Sequence, residues 1–478
     1  MNACRTTKKR IKIGFKGIVN TTDENLLDFT FAKRAYNVAF DGGLLTSHIG
    51  IDKAQGFLTE TTRFDIATMA SSKQIKNVFF YRYYNAGAMD YKLIAQLKDG
   101  TIWQTRLLQQ NGWAQIQGLT ISGDIEAVNY RYNGTDVLLL ATENAPLVYL
   151  SGDTVVTVQD APHFASIAVY NERVFGCVNG ANTRLWFSDD FDPTDWDISS
   201  EDAGFVEFVD ECGNILKLVP FLGQLYVFRD YGIFRFTGYG DQSTFALKRV
   251  FTDTGRIYKR TIVNCGDKII FLADEGLFAF DGYDVVRIAK EMPKVSNKEY
   301  AVGGYVNKKY YLACYTEVDT SYVIAGAKAN GVIVYDVFDN SINIMAGMDV
   351  SCMCEVKTHF GGGLYCGFGT TYRNRLGMFS ESGKLLTANL SKKYWTPVSN
   401  FGTSTFKIVR HIYVKTDYAV TINLFFDDKT RACALSGSTE TQKIILDRPC
   451  QKFGMSIVCT TQNLSLCPIV VVMDFMQE

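Results

Sequence analysis

The sequence is poor in histidine and proline and contains no long apolar run. Its 478 residues include four histidines, His48, His163, His359 and His411, and eight prolines. None of the histidines lies in an H-E-x-x-H, H-x-H or G-x-S-x-G neighbourhood, which removes the common signatures of zinc and serine hydrolases. No stretch approaches the roughly 18–20 apolar residues of a membrane-spanning helix. The basic N-terminus is followed by no apolar core, so we expect neither membrane insertion nor a secretory signal.

The chain also lacks an excess of either charge. It carries 49 Lys and Arg against 50 Asp and Glu, a formal net charge of −1. Broad electrostatic binding of nucleic acid or of an anionic membrane needs a basic surface, so the composition disfavours both. One local bias stands out, the stretch KKRIKIGFK with Lys8, Lys9, Arg10, Lys12 and Lys16. It could contact DNA or an acidic protein, but we favour a solvated terminal arm.

Cysteine is present, twelve in all, without the spacing of a metal site. Cys177, Cys314 and Cys459 lie within apolar, strand-like runs, which indicates reduced thiols packed as small hydrophobes. Cys352, Cys354 and Cys366 begin with a C-x-C spacing and have no second pair nearby, a weak signal for zinc. We predict no metal, no cofactor and no disulfide.

Aromatic residues are abundant, and they recur in a repeat. The stretches DYGIFRFTGY from Asp230 and DEGLFAFDGY from Asp274 match at six positions, and both follow a turn and another strand-like run. Looser copies of this two-strand couplet begin near Asp90, Asn133, Asn171, Asn307 and Gly362. A period of about 40–50 residues with four short strands is typical of propeller blades. The sequence predicts an all-β fold with a β-propeller of about seven blades over residues 61–392, the alternatives being a long β-sandwich or several small β domains.

The two ends of the chain break the period. Residues 1–60 are interpreted as an N-terminal arm and an opening strand, with a short helix capped by Thr22 or Asp23. Residues 393–478 alternate over longer runs, which predicts a C-terminal antiparallel β-sandwich-like domain. The linker between propeller and C-terminal domain is expected near Ser391–Ser399.

The segment RLWFSDDFDPTDWD concentrates five carboxylates around two tryptophans. Asp189, Asp190, Asp192, Asp195 and Asp197 follow Trp186 and surround Trp196. An EF-hand loop would need a glycine and a spaced glutamate that are absent here. Asp, Ser and Pro favour turns, so we favour a structural turn closed by Trp196 folding back onto Trp186. A partner-facing loop and a calcium site stay open as alternatives.

The composition also allows a sialidase site, because such enzymes are propellers that use an arginine triad. Arg173, Arg184, Arg229 and Arg235 supply the residue type, but the F/Y-R-I-P motif is missing. We therefore assign no catalytic residues and predict that the protein is not an enzyme.

Several of these stretches together resemble one family. AYNVAFDGGLLTSHIGI, NERVFGCVNGANTRLWFSDDFDPTDW and the pair GIFRFTG and GLFAFDG are similar to the β-propeller tail hub or nozzle proteins of tailed bacteriophages, also called packaged-DNA stabilisation proteins. The resemblance implies a structural protein of the virion tail or neck, assembled in the bacterial cytoplasm. It further implies a homohexameric ring below the portal and adaptor, through which genomic DNA passes during ejection without sequence-specific binding.

Two other functions stay open at this point. The aromatic excess also suits a receptor- or glycan-binding tail protein, or a glycoside hydrolase, since sugars stack on exposed rings. An intracellular propeller scaffold is the third, although the G-H and W-D signatures of the commonest such class are absent.

Overall fold

A computed structural model describes residues 6–476 except 20–27, 86, 179–183, 200–201, 239–241 and 253–254. Within these residues the protein is all-β, which confirms the predicted class, and its helices are four single 3-10 turns: Gln242–Thr244, Lys259–Thr261, Lys298–Tyr300 and Thr320–Tyr322. No helix in the described part is long and apolar enough to cross a membrane. The helix expected at Thr22 or Asp23 lies outside the described residues.

Seven short strands precede the repeat: β1 (Thr6–Ile13), β2 (Arg34–Tyr36), β3 (Ala39–Asp41), β4 (Leu44–Thr46), β5 (Gly50–Lys53), β6 (Gln55–Phe57) and β7 (Arg63–Asp65). Of these, β3 pairs with β4 and β6 pairs with β7. Strands β1, β2 and β5 pair with partners from the far end of the chain, as described below.

The repeat consists of successive antiparallel sheets, numbered here sheet 1 to sheet 7. Sheets 1 to 3 are β8 (Ile75–Asn85), β9 (Ala88–Leu97), β10 (Thr101–Arg106), β11 (Ala114–Thr120); β12 (Ile125–Tyr132), β13 (Thr135–Thr142), β14 (Ala145–Ser151), β15 (Thr154–Val158); and β16 (Phe164–Tyr170), β17 (Arg173–Val178), β18 (Arg184–Phe187), β19 (Gly204–Glu207). Sheets 4 and 5 are β20 (Ile215–Phe221), β21 (Gln224–Arg229), β22 (Gly232–Thr237), β23 (Ala246–Thr252); and β24 (Val263–Asn264), β25 (Ile269–Ala273), β26 (Gly276–Phe280), β27 (Val285–Ile288).

Sheets 6 and 7 depart slightly from this plan. Sheet 6 contains β28 (Val295–Ser296), β29 (Val302–Val306), β30 (Lys309–Thr316), β31 (Gly331–Asp336) and β32 (Ile342–Ala346), with β28 and β29 both paired to β30. Sheet 7 contains β33 (Val350–Thr358), β34 (Gly361–Phe368) and β35 (Leu376–Ser380), followed by β5 from the N-terminal region. Two short strands, β36 (Lys384–Leu385) and β37 (Ala388–Asn389), extend its edge.

Each repeat couplet found in the sequence forms the second and third strands of one sheet. The hairpins that join the first strand of a sheet to this couplet follow from turn chemistry. Asn133 (φ 49°) and Gly134 (φ 76°) join β12 to β13, and this pair of positive φ angles is what a two-residue type I′ turn requires. Alternating apolar residues then place one set of side chains on each face of the sheet.

The seven sheets are arranged so that each packs against the next and sheet 7 packs against sheet 1. A separate apolar cluster fills every such junction. The last one brings Val356 and Tyr365 of sheet 7 against Val78 and Leu93 of sheet 1. Residues from sheets 1 to 4, 6 and 7, together with Arg260 from the turn leading into sheet 5, line one central cavity of about 450 Å³, called here the axial cavity. Each sheet therefore buries both faces against its neighbours.

The ends of the chain meet in a second unit, called here the end unit. Its remaining strands are β38 (Lys392–Trp395), β39 (Lys407–Val414), β40 (Val420–Phe426), β41 (Lys429–Leu435), β42 (Gln442–Cys450), β43 (Phe453–Cys459), β44 (Ser465–Leu466) and β45 (Ile469–Met476). One sheet has the order β1-β45-β39-β42 and the other β2-β38-β43-β40-β41. Ile412, Val471, Ile422 and Ile457 of the two sheets share one apolar core.

Two predictions for this region were wrong. The expected linker at Ser391–Ser399 contains β38, a strand between β2 and β43 whose Tyr394 is fully buried against Phe15. The basic N-terminal stretch is not a solvated arm, because β1 pairs with β45 over eight residues while its lysines stay exposed. The division of the chain at residues 60 and 392 stays a prediction, although β5 places part of the first segment in sheet 7.

Candidate functional site

The five aspartates follow β18 and form the connection to β19, and their carboxylates bond to nearby main-chain groups. Asp192 Oδ1 accepts from the Thr194 amide (2.8 Å) and the Thr194 hydroxyl (2.6 Å). Asp195 Oδ1 accepts from the amide of Asp197 at 2.9 Å, and Asp197 Oδ1 from the amide of Ser199 at 2.9 Å. These are successive Asx turns, in which a carboxylate takes the place of a main-chain acceptor.

An arginine anchors the loop to its sheet. The buried Arg173 on β17 pairs through Nε with Asp190 Oδ1 at 2.7 Å and donates to the carbonyl of Ser188 at 2.8 Å. Phe191, at the tip, adopts φ 59° and is 60% exposed. Burial raises the pKa of Asp189, helped by the nearby Asp202 and Asp195 and opposed by the Asp190 amide. The loop is thus held by hydrogen bonds within it, by the Arg173–Asp190 ion pair and by bonds to residues outside it, such as that from the Phe191 amide to the Glu172 carbonyl at 3.3 Å.

The tryptophans differ from the prediction that they would stack on each other. Trp196 is buried against Phe164, with ring centroids 4.6 Å apart, and donates to the carbonyl of Pro193 at 3.0 Å. Trp186 packs instead on Phe205, at 5.0 Å. The Trp196 ring enters the apolar cluster between sheets 2 and 3, and this burial removes most of the ring from water. The loop is closed by its own sheet rather than by the second tryptophan.

The other chemical candidates are dispersed. Among the described residues, no three His, Cys, Asp or Glu side chains are placed to hold a metal ion. Burial raises the pKa values of the Cys352, Cys354 and Cys366 thiols, so these groups are neutral and act as small hydrophobes. The glycines around Gly362 lie in strand β34 and no helix follows them, which is not a phosphate-binding loop.

The arginines and histidines serve their own local contacts. Arg184 pairs with Glu207, and Arg229 binds both carboxylate oxygens of Asp210 at 2.6 and 2.7 Å. His48 contacts Asp41 at 3.1 Å and His359 contacts the Tyr91 hydroxyl at 3.1 Å, while His163 is exposed at the edge of sheet 3. His411 lies in β39, where partial burial and Lys443 lower its pKa. Arg173 and Arg184 lie in sheet 3 and Arg229 and Arg235 in sheet 4, and the first three each pair with a different carboxylate.

Sequence reasoning missed one surface feature, an exposed apolar edge called here the apolar rim. Strands alternate in direction, so the turns joining first to second and third to fourth strands lie at the same end of every sheet. Hydrogen bonds link such turns between neighbours, for example from Tyr226 to the Gly282 carbonyl at 3.3 Å. Five large side chains that are each at least 60% exposed share this end: Tyr84, Phe191, Leu222, Tyr283 and Phe338. At the opposite end, Val209 alone among described residues is as exposed.

The turn sequences contain a pattern that could have predicted the apolar rim. Hairpin tips normally carry Gly, Asn or Asp, and here an apolar residue accompanies them, as in DGYD at Asp281 and VFDN at Val337. An apolar side chain that a turn does not need and that solvent surrounds is a cue for an interaction surface.

Comparison with known proteins adds little. No family model matches the chain, and no curated protein matches it. One similar solved structure is the "Crystal structure of BBS1N in complex with ARL6DN, soaked with lead". Its TM-score is 0.43 at 8% sequence identity, over 71% of this chain and 98% of that chain. At this level the likeness carries no argument about fold or function.

Proposed function

We propose that this protein is a ring-forming structural component of a bacteriophage neck or tail, a hub or nozzle that closes the DNA exit channel and conducts DNA during ejection. In this proposal its partners are other copies of itself, arranged in a closed ring by rotational symmetry, and the portal–adaptor assembly above it. It works in the virion and is assembled in the bacterial cytoplasm.

The proposal includes a specific architecture. The ring of sheets is a seven-bladed β-propeller whose last blade is completed by β5, and the end unit is an antiparallel β-sandwich. Support comes from the seven junction clusters, the closure of sheet 7 on sheet 1 and the core shared by the two end sheets. Radial repetition leaves few open sheet edges, which suits a component of a stable particle.

The observation that carries the proposal is the apolar rim. Phe338 is 80% exposed and Tyr283 is 78% exposed, at the tips of turns in neighbouring sheets. A partner that covers these side chains removes their apolar surface from water, which would stabilise the assembled state. The near-neutral chain adds support, because a wall that DNA must pass should not hold phosphates through many Lys and Arg contacts.

The experiment is assembly with a portal–adaptor complex, followed by analytical ultracentrifugation and electron microscopy. We expect a ring on the complex and the protein in purified virions. A triple variant, Phe191→Ser with Tyr283→Ser and Phe338→Ser, should keep its fold and assemble more weakly. Ile445→Ser is the matched control, since Ile445 is 64% exposed but lies on the end unit. A protein that stays monomeric with the complex and is missing from virions would refute the proposal.

The second candidate is a receptor- or glycan-binding tail protein, or a glycoside hydrolase. The exposed aromatic rings of the rim favour it in principle, because sugars stack on such rings. These rings stand at convex turn tips, whereas sugar sites are concave. A glycan array together with a hydrolysis screen separates the two: binding or turnover that the triple rim variant loses would favour the second candidate.

A further inference from the structure

The axial cavity, taken with the side chains paired to its lining, carries an excess of positive charge. Lys217 of β20 and Arg260, at the turn leading into sheet 5, line it together with Glu126 of β12 and Glu355 of β33. Both carboxylates already have partners. Glu126 Oε1 pairs with Lys259 at 3.2 Å while its Oε2 accepts from the Ser166 hydroxyl at 2.6 Å. Glu355 pairs with Lys357 at 2.9 Å.

The two remaining cations, Lys217 and Arg260, bond to main-chain carbonyls. Lys217 Nζ donates to the carbonyl of Ile262 at 2.9 Å, and Arg260 Nη2 donates to the carbonyl of Ser351 at 2.7 Å. Neither meets a carboxylate within ion-pairing distance in the part of the chain that the structure describes. A guanidinium offers five N–H donors and an ammonium three, so both keep donors free after these bonds.

The surroundings make this arrangement unfavourable without a counter-charge. Apolar side chains, including Val78, Ile167, Leu218 and Val302, fill much of the remaining lining. Burial lowers the pKa of Lys217, Glu126 opposes that shift, and the charges of Lys259 and Arg260 lower the pKa further. Cations that repel each other across one cavity are stabilised by an anion between them.

We propose that the axial cavity is a binding site for a small multivalent oxyanion, inorganic phosphate being the representative, held between Lys217 and Arg260. The Arg260 guanidinium supplies paired donors to two oxygens and Lys217 supplies a point charge. A cavity of about 450 Å³ has room for such an ion with water around it. The site is independent of the proposed assembly function and involves none of the rim residues.

Phosphorus-31 NMR line broadening and calorimetry of the intact protein with inorganic phosphate test the site, at constant ionic strength. We expect saturable binding that sulfate competes for and chloride does not. Lys217→Met and Arg260→Gln should each weaken phosphate affinity at least tenfold. Lys53→Met, an exposed lysine paired with Asp65 away from the cavity, is the control and should bind as the parent protein does.

A second readout separates loss of the site from loss of the fold. Lys217→Met removes a repelled ammonium, so its melting temperature without phosphate should be at least that of the parent, and added phosphate should no longer raise it. Unchanged phosphate affinity in both variants would overturn the proposal. So would absence of saturable binding in the parent protein, or equal competition by chloride, since either means only general screening.

Discussion

The ring of sheets and the end unit are both built from antiparallel strands, but they differ in how far apart in the sequence the paired strands lie. Sheets 1 to 5 each use strands that follow one another directly in sequence. In the end unit β1 pairs with β45 and β2 with β38, so the two ends of the chain lie side by side. Most of the ring therefore depends on local turns, whereas each of the two end sheets is completed by a strand more than 300 positions away from its partner. The comparison predicts different weaknesses for the two regions.

Deleting residues 2–19 should have the largest effect on stability, and this effect should be confined to the end unit. The deletion removes β1 and the buried side chains of Ile13 and Phe15, which pack in the end-unit core. Hydrogen exchange should become fast in β39 and β45 while sheets 2 to 4 keep their protection. The triple substitution Lys8→Gln with Arg10→Gln and Lys12→Gln keeps the strand and should leave protection unchanged. Unaltered exchange in β45 after the deletion would show that β1 is dispensable.

Arg229→Met should lower the stability of the ring of sheets. The fully buried guanidinium binds both oxygens of Asp210 and the Gly213 carbonyl at 3.0 Å, and it lies 4.8 Å from the Phe208 ring. Removing one partner leaves a carboxylate without its counter-charge, at a cost of about 3–5 kcal/mol in the free energy of unfolding. The exposed pair Lys53–Asp65 is the control, and Lys53→Met should cost less than about 1 kcal/mol. Urea unfolding measures both, and equal losses would contradict the argument.

Alkaline pH should lower the stability of both regions, because buried thiols ionise more readily once the protein unfolds. Burial raises the pKa of Cys314 in sheet 6 to about 12, and burial raises that of Cys450 in the end unit to about 11. The unfolded thiols ionise near pH 9, so the stabilisation is complete below pH 9 and is lost as the pH rises toward these values. Between about pH 8 and pH 10 each thiol should cost about 1.4 kcal/mol of unfolding free energy.

The control for this titration separates ionisation from packing. Cys314→Ala lowers stability at every pH because it leaves a cavity, yet it should make the loss above about pH 9 shallower. Ile333→Val, in the same apolar cluster, also removes packing but should keep the parent slope. Identical slopes in all three proteins would mean that this thiol does not titrate as its burial requires.

Asp192→Ala should have the smallest effect and decides between a turn and a cation site. Losing the bonds to the Thr194 amide and hydroxyl should cost about 1 kcal/mol, as for a lost cap. Asp192→Asn keeps an acceptor oxygen and should recover most of that loss. Hydrogen exchange at Thr194 measures the change. If Asn proves as damaging as Ala and calcium stabilises only the parent protein, the loop binds a cation instead.

Much of the ring could be predicted from the sequence because its information is local. Each couplet combines a turn of fixed chemistry with two alternating strands, as in the residues that follow Asp230 and Asp274, and turn and strand lie close together in the chain. The first and fourth strands were harder to predict, since β24 has two residues and β27 four, too few for an alternating pattern to show.

The end unit could be predicted only in part for a physical reason. Alternation marks β39, β40 and β45 as strands, but it does not name their partners, because any strand edge offers the same main-chain groups. The buried Tyr394 was assigned to a linker because it follows two lysines and lies three residues before Pro397. The juxtaposition of Lys217 and Arg260 could not be predicted, because Lys217 lies in sheet 4, Arg260 lies in the turn leading into sheet 5, and only the packing of these sheets around the axial cavity brings them together.

The position of β5 in sheet 7 has a consequence for synthesis. Gly50–Lys53 leaves the ribosome early, and its partner β35 follows about 320 residues later. At about 5–20 residues per second the early strand waits roughly 15 to 65 s without its partner. During that time sheets 1 to 6 can fold one after another, but the circle stays open. The ring of sheets can therefore close only after β35 has been made, about 320 residues after β5.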